Sequence, residues 1–189
     1  MENFIEEYQL EDISVCDSLI QLFKDADKNN LTHEGCVGGP GNINKNAKES
    51  KDLMLHKAQP LGSPNQYKFD IYHKELSNFI NQYLEKYKLL DYKFVFRFLP
   101  QIQYYEKGKG YYAWHIDGGS LDSSDRAFVY ITYLNDVDDG GTEFYFQNYT
   151  TKAKKGTTVI FPAAYTHMHK GQISQTSEKY ILTGWLWWG

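Results

Sequence analysis

The feature that most constrains the fold of this chain is a change of hydrophobic period near residue 92. Past Tyr92, the residues Phe94, Phe96 and Phe98 alternate with Val95, Arg97 and Leu99, the two-residue period of a strand. Short β-prone runs then recur at Ile102–Tyr105, Tyr111–Ile116, Ala127–Leu134, Thr142–Phe146, Gly156–Phe161 and Lys179–Trp187. Turn-rich breaks at Glu106–Gly110, Gly118–Asp125, Asn135–Gly141 and Gln147–Lys155 separate them. Many short strands at this spacing predict a β-sandwich or barrel. Aromatic residues make up 16% of the chain and crowd into 92–114 and 128–188, as packed strands require.

Upstream the period is helical. Val15, Leu19, Ile20, Leu22 and Phe23 predict a first helix, capped by Asp12 or Ser14 and ended by Asn29-Asn30. Phe69, Tyr72, Leu76, Phe79, Ile80, Tyr83, Leu84 and Tyr87 predict a second. Between them, residues 32–66 are rich in Gly, Asn, Lys and Pro, including Gly38-Gly39-Pro40-Gly41, and read as a long loop or lid. Helices that precede strands without alternating with them argue against a Rossmann arrangement. With 189 residues and no internal repeat or linker, we expect one domain over 1–189. It is mainly β with N-terminal helices: 1–91 form helical support and lid, and 92–189 form the β core they buttress.

The net charge of −4 argues against nonspecific binding to nucleic acid or anionic membranes. No stretch approaches the roughly 18 apolar residues of a spanning helix, and the acidic start Met1-Glu2-Asn3-Phe4 lacks a basic, then apolar, leader. Cys16 and Cys36 show no zinc-like spacing and are too few for a disulfide framework, so a soluble protein of the reducing cytoplasm is expected. Cys16, within an apolar helical pattern, reads as a buried free thiol.

Chemistry concentrates in Trp114-His115-Ile116-Asp117-Gly118-Gly119. On a strand, His115 and Asp117 share a face roughly 7 Å apart along the backbone and can converge on one cation. Gly118-Gly119 then ends the strand and leaves the site open. An imidazole and a carboxylate so arranged suit a divalent first-row metal. Alone the pair is weak: a surface His beside a turn-capping Asp explains it as well. A third ligand is available downstream, at His167 or His169 in Tyr165-Thr166-His167-Met168-His169-Lys170-Gly171. Two His and one carboxylate leave open positions, as oxygen-activating Fe(II) sites need, whereas a structural zinc site fills its sphere. Ten positions after His169, Lys179 lies in an apolar, aromatic run. Facing inward, it needs an anionic partner, for which a dicarboxylate cosubstrate would serve; facing outward, it is an ordinary edge-strand lysine.

The ordered set resembles the iron(II)/2-oxoglutarate-dependent dioxygenases, in particular their prolyl 4-hydroxylase-like branch. The resemblance spans residues 94–187 and comprises His-x-Asp, Tyr133-Leu134-Asn135 running into Gly140-Gly141-Thr142-Glu143-Phe144, Lys155-Gly156-Thr157-Thr158-Val159-Ile160-Phe161-Pro162, His169-Lys170-Gly171 and Glu178-Lys179-Tyr180-Ile181-Leu182-Thr183-Gly184-Trp185. It implies a double-stranded β-helix, a cupin-like jelly roll, with the metal inside its open end. It also implies Fe(II) bound by His115, Asp117 and His169, with His169 preferred to His167 because the family's distal His precedes a short basic-Gly segment. Lys179 would pair with the distal carboxylate of 2-oxoglutarate, where many relatives use Arg. Tyr105, Tyr133, Thr183 and Trp185 match positions that line the cosubstrate pocket, although plain core packing explains each equally well.

The implied activity consumes 2-oxoglutarate and O2, with ascorbate as a possible accessory reductant, releases succinate and CO2, and hydroxylates an unactivated C–H bond such as that of a peptidyl proline. The substrate is then a peptide or small molecule, and the protein a monomer or homodimer. Arg97, Arg126, Trp114 and Tyr112 are candidates for a substrate groove, and 32–66 for a mobile cover. Two other readings compete: a non-oxygenase jelly-roll protein, such as a cupin-like isomerase or binding module, and a structural protein with incidental histidines. Neither needs Lys179 and all three metal-site residues together.

Overall fold

The computed structural model describes residues 2–39, 41–55, 64–97 and 100–189, with side chains of the second helix described from Phe69 onward. The chain begins with strand β1 (Glu6–Gln9), helix α1 (Ser14–Lys28) and the short strands β2 (His33–Glu34) and β3 (Lys51–Met54). Helix α2 (Pro64–Lys86) follows, then β4 (Phe94–Val95), β5 (Gln101–Tyr105), β6 (Arg126–Tyr133) and β7 (Thr142–Phe144). The last strands are β8 (Tyr149–Thr150), β9 (Thr157–Pro162), β10 (His169–Gly171) and β11 (Lys179–Trp188). They form an antiparallel eight-stranded sheet in the order β1-β9-β6-β11-β5-β3-β2, with β4 also on β11, and a three-stranded sheet β10-β7-β8. This mainly β architecture of antiparallel sheets with two helices is consistent with a jelly roll.

Strand parity sorts the side chains of the large sheet into two cores. Phe128 and Tyr130 of β6, Ile160 of β9, and Tyr180, Leu182 and Leu186 of β11 face the helices. There they meet Leu19, Leu22 and Phe23 of α1 and Tyr72, Leu76 and Tyr83 of α2, at the helical spacings of the sequence. Truncating a wholly buried leucine such as Leu76 to Ala costs about 2–5 kcal/mol. A hydroxyl chain pins α2 to the sheet: Tyr72 Oη lies 2.9 Å from Thr132 Oγ1, which lies 2.7 Å from Thr158 Oγ1. The alternate residues Val129, Ile131, Tyr133, Val159, Phe161 and Ile181 face the small sheet, where Phe144 meets Phe161 edge-on at 4.8 Å.

Helix α1 starts and stops where its sequence signals lie. Asp12 Oδ1 accepts hydrogen bonds from the Ser14 N–H and Oγ–H, and Asn30 leaves the helix with φ of 54°. Glu75 of α2 accepts the Glu11 N–H at 2.7 Å, which joins the two helices at that end. Cys16 is buried and free, as expected.

Three expectations are corrected. The first third of the chain is not only helical: β1 forms one edge of the large sheet and β3-β2 the other. Polar alternation in Glu6-Glu7-Tyr8-Gln9 hides β1, because its outward positions are exposed. The expected loop or lid at 32–66 is in part strand, since β2 and β3 pair with each other and β3 with β5; Pro40 and residues 56–63 lie outside the described residues. The run Tyr111–Ile116 is not a strand. It is held by isolated bridges, Lys48 to Tyr111 and His115 to His169. Phe98 and Leu99 lie outside the described residues, so the alternation is followed only through β4. Among the described residues, no helix is long and apolar enough to cross a membrane.

Candidate metal centre and cosubstrate pocket

His115 reaches the small sheet through a reciprocal backbone pair: its N–H donates to His169 O at 3.0 Å, and the His169 N–H donates back at 2.9 Å. That bridge, with no regular strand, sets the two imidazoles side by side, with ring centroids 4.3 Å apart. Asp117 follows in the turn, where the Gly118 N–H donates to Ala163 O at 2.9 Å. One ligand atom from each of His115, Asp117 and His169 lies within 4.8 Å of the others.

Hydrogen bonding prepares each donor. His115 Nδ1 lies 3.1 Å from Ala113 O, and His169 Nδ1 lies 2.9 Å from His167 O. A carbonyl only accepts, so both Nδ1 atoms carry the proton and both Nε2 atoms present lone pairs. Asp117 Oδ1 accepts the Trp185 Nε1–H at 2.8 Å, with Arg126 Nη1 at 3.9 Å. Asp117 Oδ2 is buried without a hydrogen-bond partner among the described residues and lies 3.4 Å from His169 Nε2. Burial, reinforced by the neighbouring His169, pushes His115 well below the usual imidazole range and keeps it neutral. Two imidazoles whose Nε2 atoms face a carboxylate with one orphaned buried oxygen fit a divalent first-row cation, with coordination positions left for other ligands.

Aromatic walls fix the rings. Tyr111 stacks on His115 with centroids 3.7 Å apart and 6° between planes, while Phe161 meets His169 edge-on at 4.8 Å. Tyr111 went unnoticed in the sequence, where nothing but its neighbour Tyr112 marks it. His167 is excluded from the centre. It lies in a 3-10 turn, Tyr165–His167, with Nε2 2.8 Å from Asn3 O and Nδ1 2.9 Å from Thr166 Oγ1. The alternative of His167 as third ligand fails, because the turn directs its ring to Asn3 and Thr166.

A cavity of about 980 Å³ opens on this centre. Lys179 lines it, only 4% exposed and on an interior strand, which excludes the outward edge-strand reading. Burial pushes its ammonium down to about 8. Tyr105, Tyr133, Thr183 and Trp185 all line the cavity with it. Their hydroxyls have partners: Tyr105 donates to Gln103 Oε1 at 2.7 Å, Thr183 donates to Tyr130 O at 3.0 Å, and Tyr133 sits 2.7 Å from Thr142 Oγ1 and 2.6 Å from Thr151 Oγ1. Thr142 and Gln103, cavity-lining residues that the sequence does not mark, enter through strand pairing alone.

Of four groove candidates, only Arg126 lines the cavity. Its guanidinium lies over the Trp185 ring at 3.9 Å, and its buried Nε has no hydrogen-bond partner among the described residues. Arg97 instead pairs with Asp125 at 2.6 Å, Tyr112 donates to Glu49 at 2.7 Å, and Trp114 packs edge-on against Tyr145 at 5.2 Å on the surface. The opposite wall comes from the expected lid region, through His33, Gly38, Lys48, Asp52 and Met54.

Residues 100–187 match the model of the 2OG-Fe(II) oxygenase superfamily. No curated protein matches the chain significantly. Solved structures share its fold at low identity. A viral collagen prolyl hydroxylase from Paramecium Bursaria Chlorella virus-1, in complex with 2-oxoglutarate, is 22% identical with a TM-score of 0.68, over 97% of this chain and 95% of that one. A Pseudomonas putida prolyl-4-hydroxylase is 17% identical with a TM-score of 0.72, over 97% and 92%. A Trichoplax adhaerens prolyl hydroxylase, in complex with a hypoxia inducible factor peptide fragment, is 15% identical with a TM-score of 0.75, over 98% and 84%. Residues 100–187, which carry the His115, Asp117, His169 cluster, are thus the part of the chain that is similar to the 2OG-Fe(II) oxygenase superfamily.

Proposed function

We propose that this 2-oxoglutarate-dependent oxygenase hydroxylates a prolyl residue of a peptide, with Fe(II) held by His115 Nε2, His169 Nε2 and Asp117 Oδ2. The observation that carries the metal assignment is the division of labour among polar atoms. Every other polar atom of these three side chains has a protein partner, while these three point together. When bound, the Fe(II) centre couples oxidative decarboxylation of 2-oxoglutarate by O2, giving succinate and CO2, to hydroxylation of a substrate C–H bond.

The chain's own groups bind and orient. Lys179 receives the distal carboxylate of 2-oxoglutarate, and Tyr105, Tyr133 and Thr183 shape the wall around it. Trp185 serves Asp117 as well as the wall. Arg126 Nε, buried without a hydrogen-bond partner among the described residues, suits a carbonyl oxygen of a bound peptide. The described residues around β2 and β3, among them His33, Lys48, Asp52 and Met54, wall the site and help exclude water. Support for a peptidyl proline comes from the three prolyl hydroxylases of similar fold, one of which holds a peptide.

The two sheets correspond to the layers of a cupin-like double-stranded β-helix in a single domain over 1–189. The free Cys16 and Cys36 suit a reducing cytoplasm.

The test is anaerobic addition of Fe(II) and 2-oxoglutarate, which should give a weak visible charge-transfer band that Asp117→Ala abolishes. No band in the intact protein would sink the assignment. Succinate release, measured over a panel of proline peptides, free amino acids and nucleotides, should rise with the peptides; stimulation by nucleotides alone would overturn the substrate class.

A further inference from the structure

Two carbonyls from separate turns hold the Lys179 ammonium. Nζ donates to Gln172 O at 2.7 Å and Gly140 O at 3.1 Å, and the Tyr105 ring lies 5.3 Å away. An ammonium has three hydrogens, so one direction remains for a ligand in the cavity. The two turns are more than 30 residues apart in sequence, so this cradle exists only if something joins them.

The pairing of β10 with β7, which ends at Gly171 and Thr142, brings them together, and two further sets of contacts lock them. Gly141 and Gln172 exchange hydrogen bonds: the Gln172 N–H donates to Gly141 O at 2.8 Å, and the Gly141 N–H donates to Gln172 Oε1 at 3.1 Å. The other is Asp139. Its Oδ1 accepts from Ser174 Oγ at 2.7 Å and Thr176 Oγ1 at 2.8 Å, and its Oδ2 accepts from the Gln175 N–H at 2.7 Å. Ser174 Oγ accepts in turn from the N–H groups of Thr176 at 3.2 Å and Ser177 at 3.0 Å. One carboxylate thus organises the loop that delivers Gln172 O and leads into Lys179, and these bonds hold its pKa down to about 2. Close packing completes the cradle: a Cβ on Gly140 would meet Val137 Cγ1 at 2.6 Å and Lys179 Cδ at 3.3 Å.

We infer that Asp139 is a positioning residue for the cosubstrate, locking the 172–177 loop to the 139–141 turn so that Lys179 holds one ammonium hydrogen toward the cavity. This rests on the assignment of Lys179 as the anchor of the distal carboxylate. Asp139 also acts through charge, opposing the burial that lowers Lys179. The other titratable groups around Lys179 are Tyr105 of β5, held well above its usual range by burial, Tyr133 of β6, pushed up to about 12, and Glu178 on its own strand, which accepts from Tyr104 Oη at 3.1 Å. Asp136 and Asp138, on the same turn as Asp139, face Lys155 N and Lys154 instead.

The experiment titrates 2-oxoglutarate into the anaerobic Fe(II)-loaded protein across pH, and Fe(II) into the metal-free protein, for wild type, Asp139→Ala, Asp139→Asn and Lys179→Ala. Asp139→Ala should weaken 2-oxoglutarate about tenfold, the equivalent of one hydrogen bond to a charged group, and leave the Fe(II) affinity unchanged. Its loss of 2-oxoglutarate affinity on the alkaline side should begin at lower pH. Asp139→Asn, which keeps one acceptor oxygen, should fall between. Unchanged 2-oxoglutarate affinity in Asp139→Ala, with Lys179→Ala impaired, overturns the role of Asp139 alone. Parallel loss of Fe(II) and 2-oxoglutarate assigns Asp139 to folding and overturns it too. Normal binding by Lys179→Ala overturns the assignment beneath it.

Discussion

Trp185 donates its indole N–H to Asp117 Oδ1 at 2.8 Å, across 68 residues of sequence. The bond occupies one carboxylate oxygen and leaves Oδ2 without a hydrogen-bond partner among the described residues, available to a cation. Arg126 holds the backbone of the same residue, with Nη1 donating to the Asp117 carbonyl oxygen at 3.2 Å. Trp185→Phe keeps an aromatic wall but frees the carboxylate to rotate. Fe(II) affinity should fall about tenfold, the lower range for loss of a group that orients a metal ligand. Anaerobic metal titration measures it; an unchanged affinity would mean that Arg126 alone orients Asp117.

The two nearby histidines should separate cleanly. His169→Ala removes a ligand and should abolish tight Fe(II) binding. His167→Ala should leave Fe(II) binding intact, because that ring serves Asn3 O and Thr166. Its cost is to the fold, about 1–3 kcal/mol for stranding a largely buried acceptor. Urea unfolding of the two metal-free variants, beside metal titration, checks both halves.

Lys179 gives a pH dependence with a definite sign. Its ammonium is pushed down to about 8 by burial in the folded protein, against roughly 10.4 in an unfolded chain. Between those values the unfolded chain holds more protons, so the metal-free protein gains stability from this group as pH rises through that window. Cosubstrate affinity runs the other way: above about pH 8 the free protein loses the charge that attracts a carboxylate, and affinity should fall by up to tenfold per pH unit. Binding isotherms from pH 7 to 9.5 test this, and Lys179→Ala should flatten the profile.

Lys48 and Asp52 form an ion pair at 2.7 Å with side chains 2% and 3% exposed, in the wall facing the metal centre. Ser50 Oγ donates to the other Asp52 oxygen at 2.7 Å. Lys48→Met should destabilise by about 3–5 kcal/mol, because a buried carboxylate is left uncompensated. Adding Asp52→Leu should recover much of that loss. Chemical denaturation of both variants decides it; equal stability of single and double variants would show that water reaches Asp52.

Much of this architecture was legible in the sequence. Helix α1 lies where its apolar spacing and its Asn29 signal put it, since these are local effects of backbone geometry. Its N-cap is nevertheless Ile13, one residue from either expected cap, with Asp12 Oδ1 accepting the Ser14 N–H from just outside. The alternation of β11 sorted Lys179, Thr183 and Trp185 to one face before any partner was known, because strand period is also local. Where local pattern was weak or borrowed, it misled. Tyr111–Ile116 looks like a strand from its composition, yet has only isolated bridges, and β1 and β2 are polar edge strands without an apolar signature.

What the sequence offered by itself is the set of candidate donors, His115, Asp117, His169 and Lys179, because side-chain chemistry needs no fold to be read. The resemblance already preferred His169 to His167; the physical reason came with the 3-10 turn that directs His167 to Asn3 and the bridge that brings His169 to His115. The partners of each donor, Trp185 on Asp117, Tyr111 on His115, Asp139 behind Lys179, were decided by tertiary structure alone. Trp185 and Asp117 are far apart in the chain, and the cradle of Lys179 joins turns that only strand pairing brings together. A ligand's identity is carried by its residue type, but its orientation is carried by neighbours that only the folded sheet supplies.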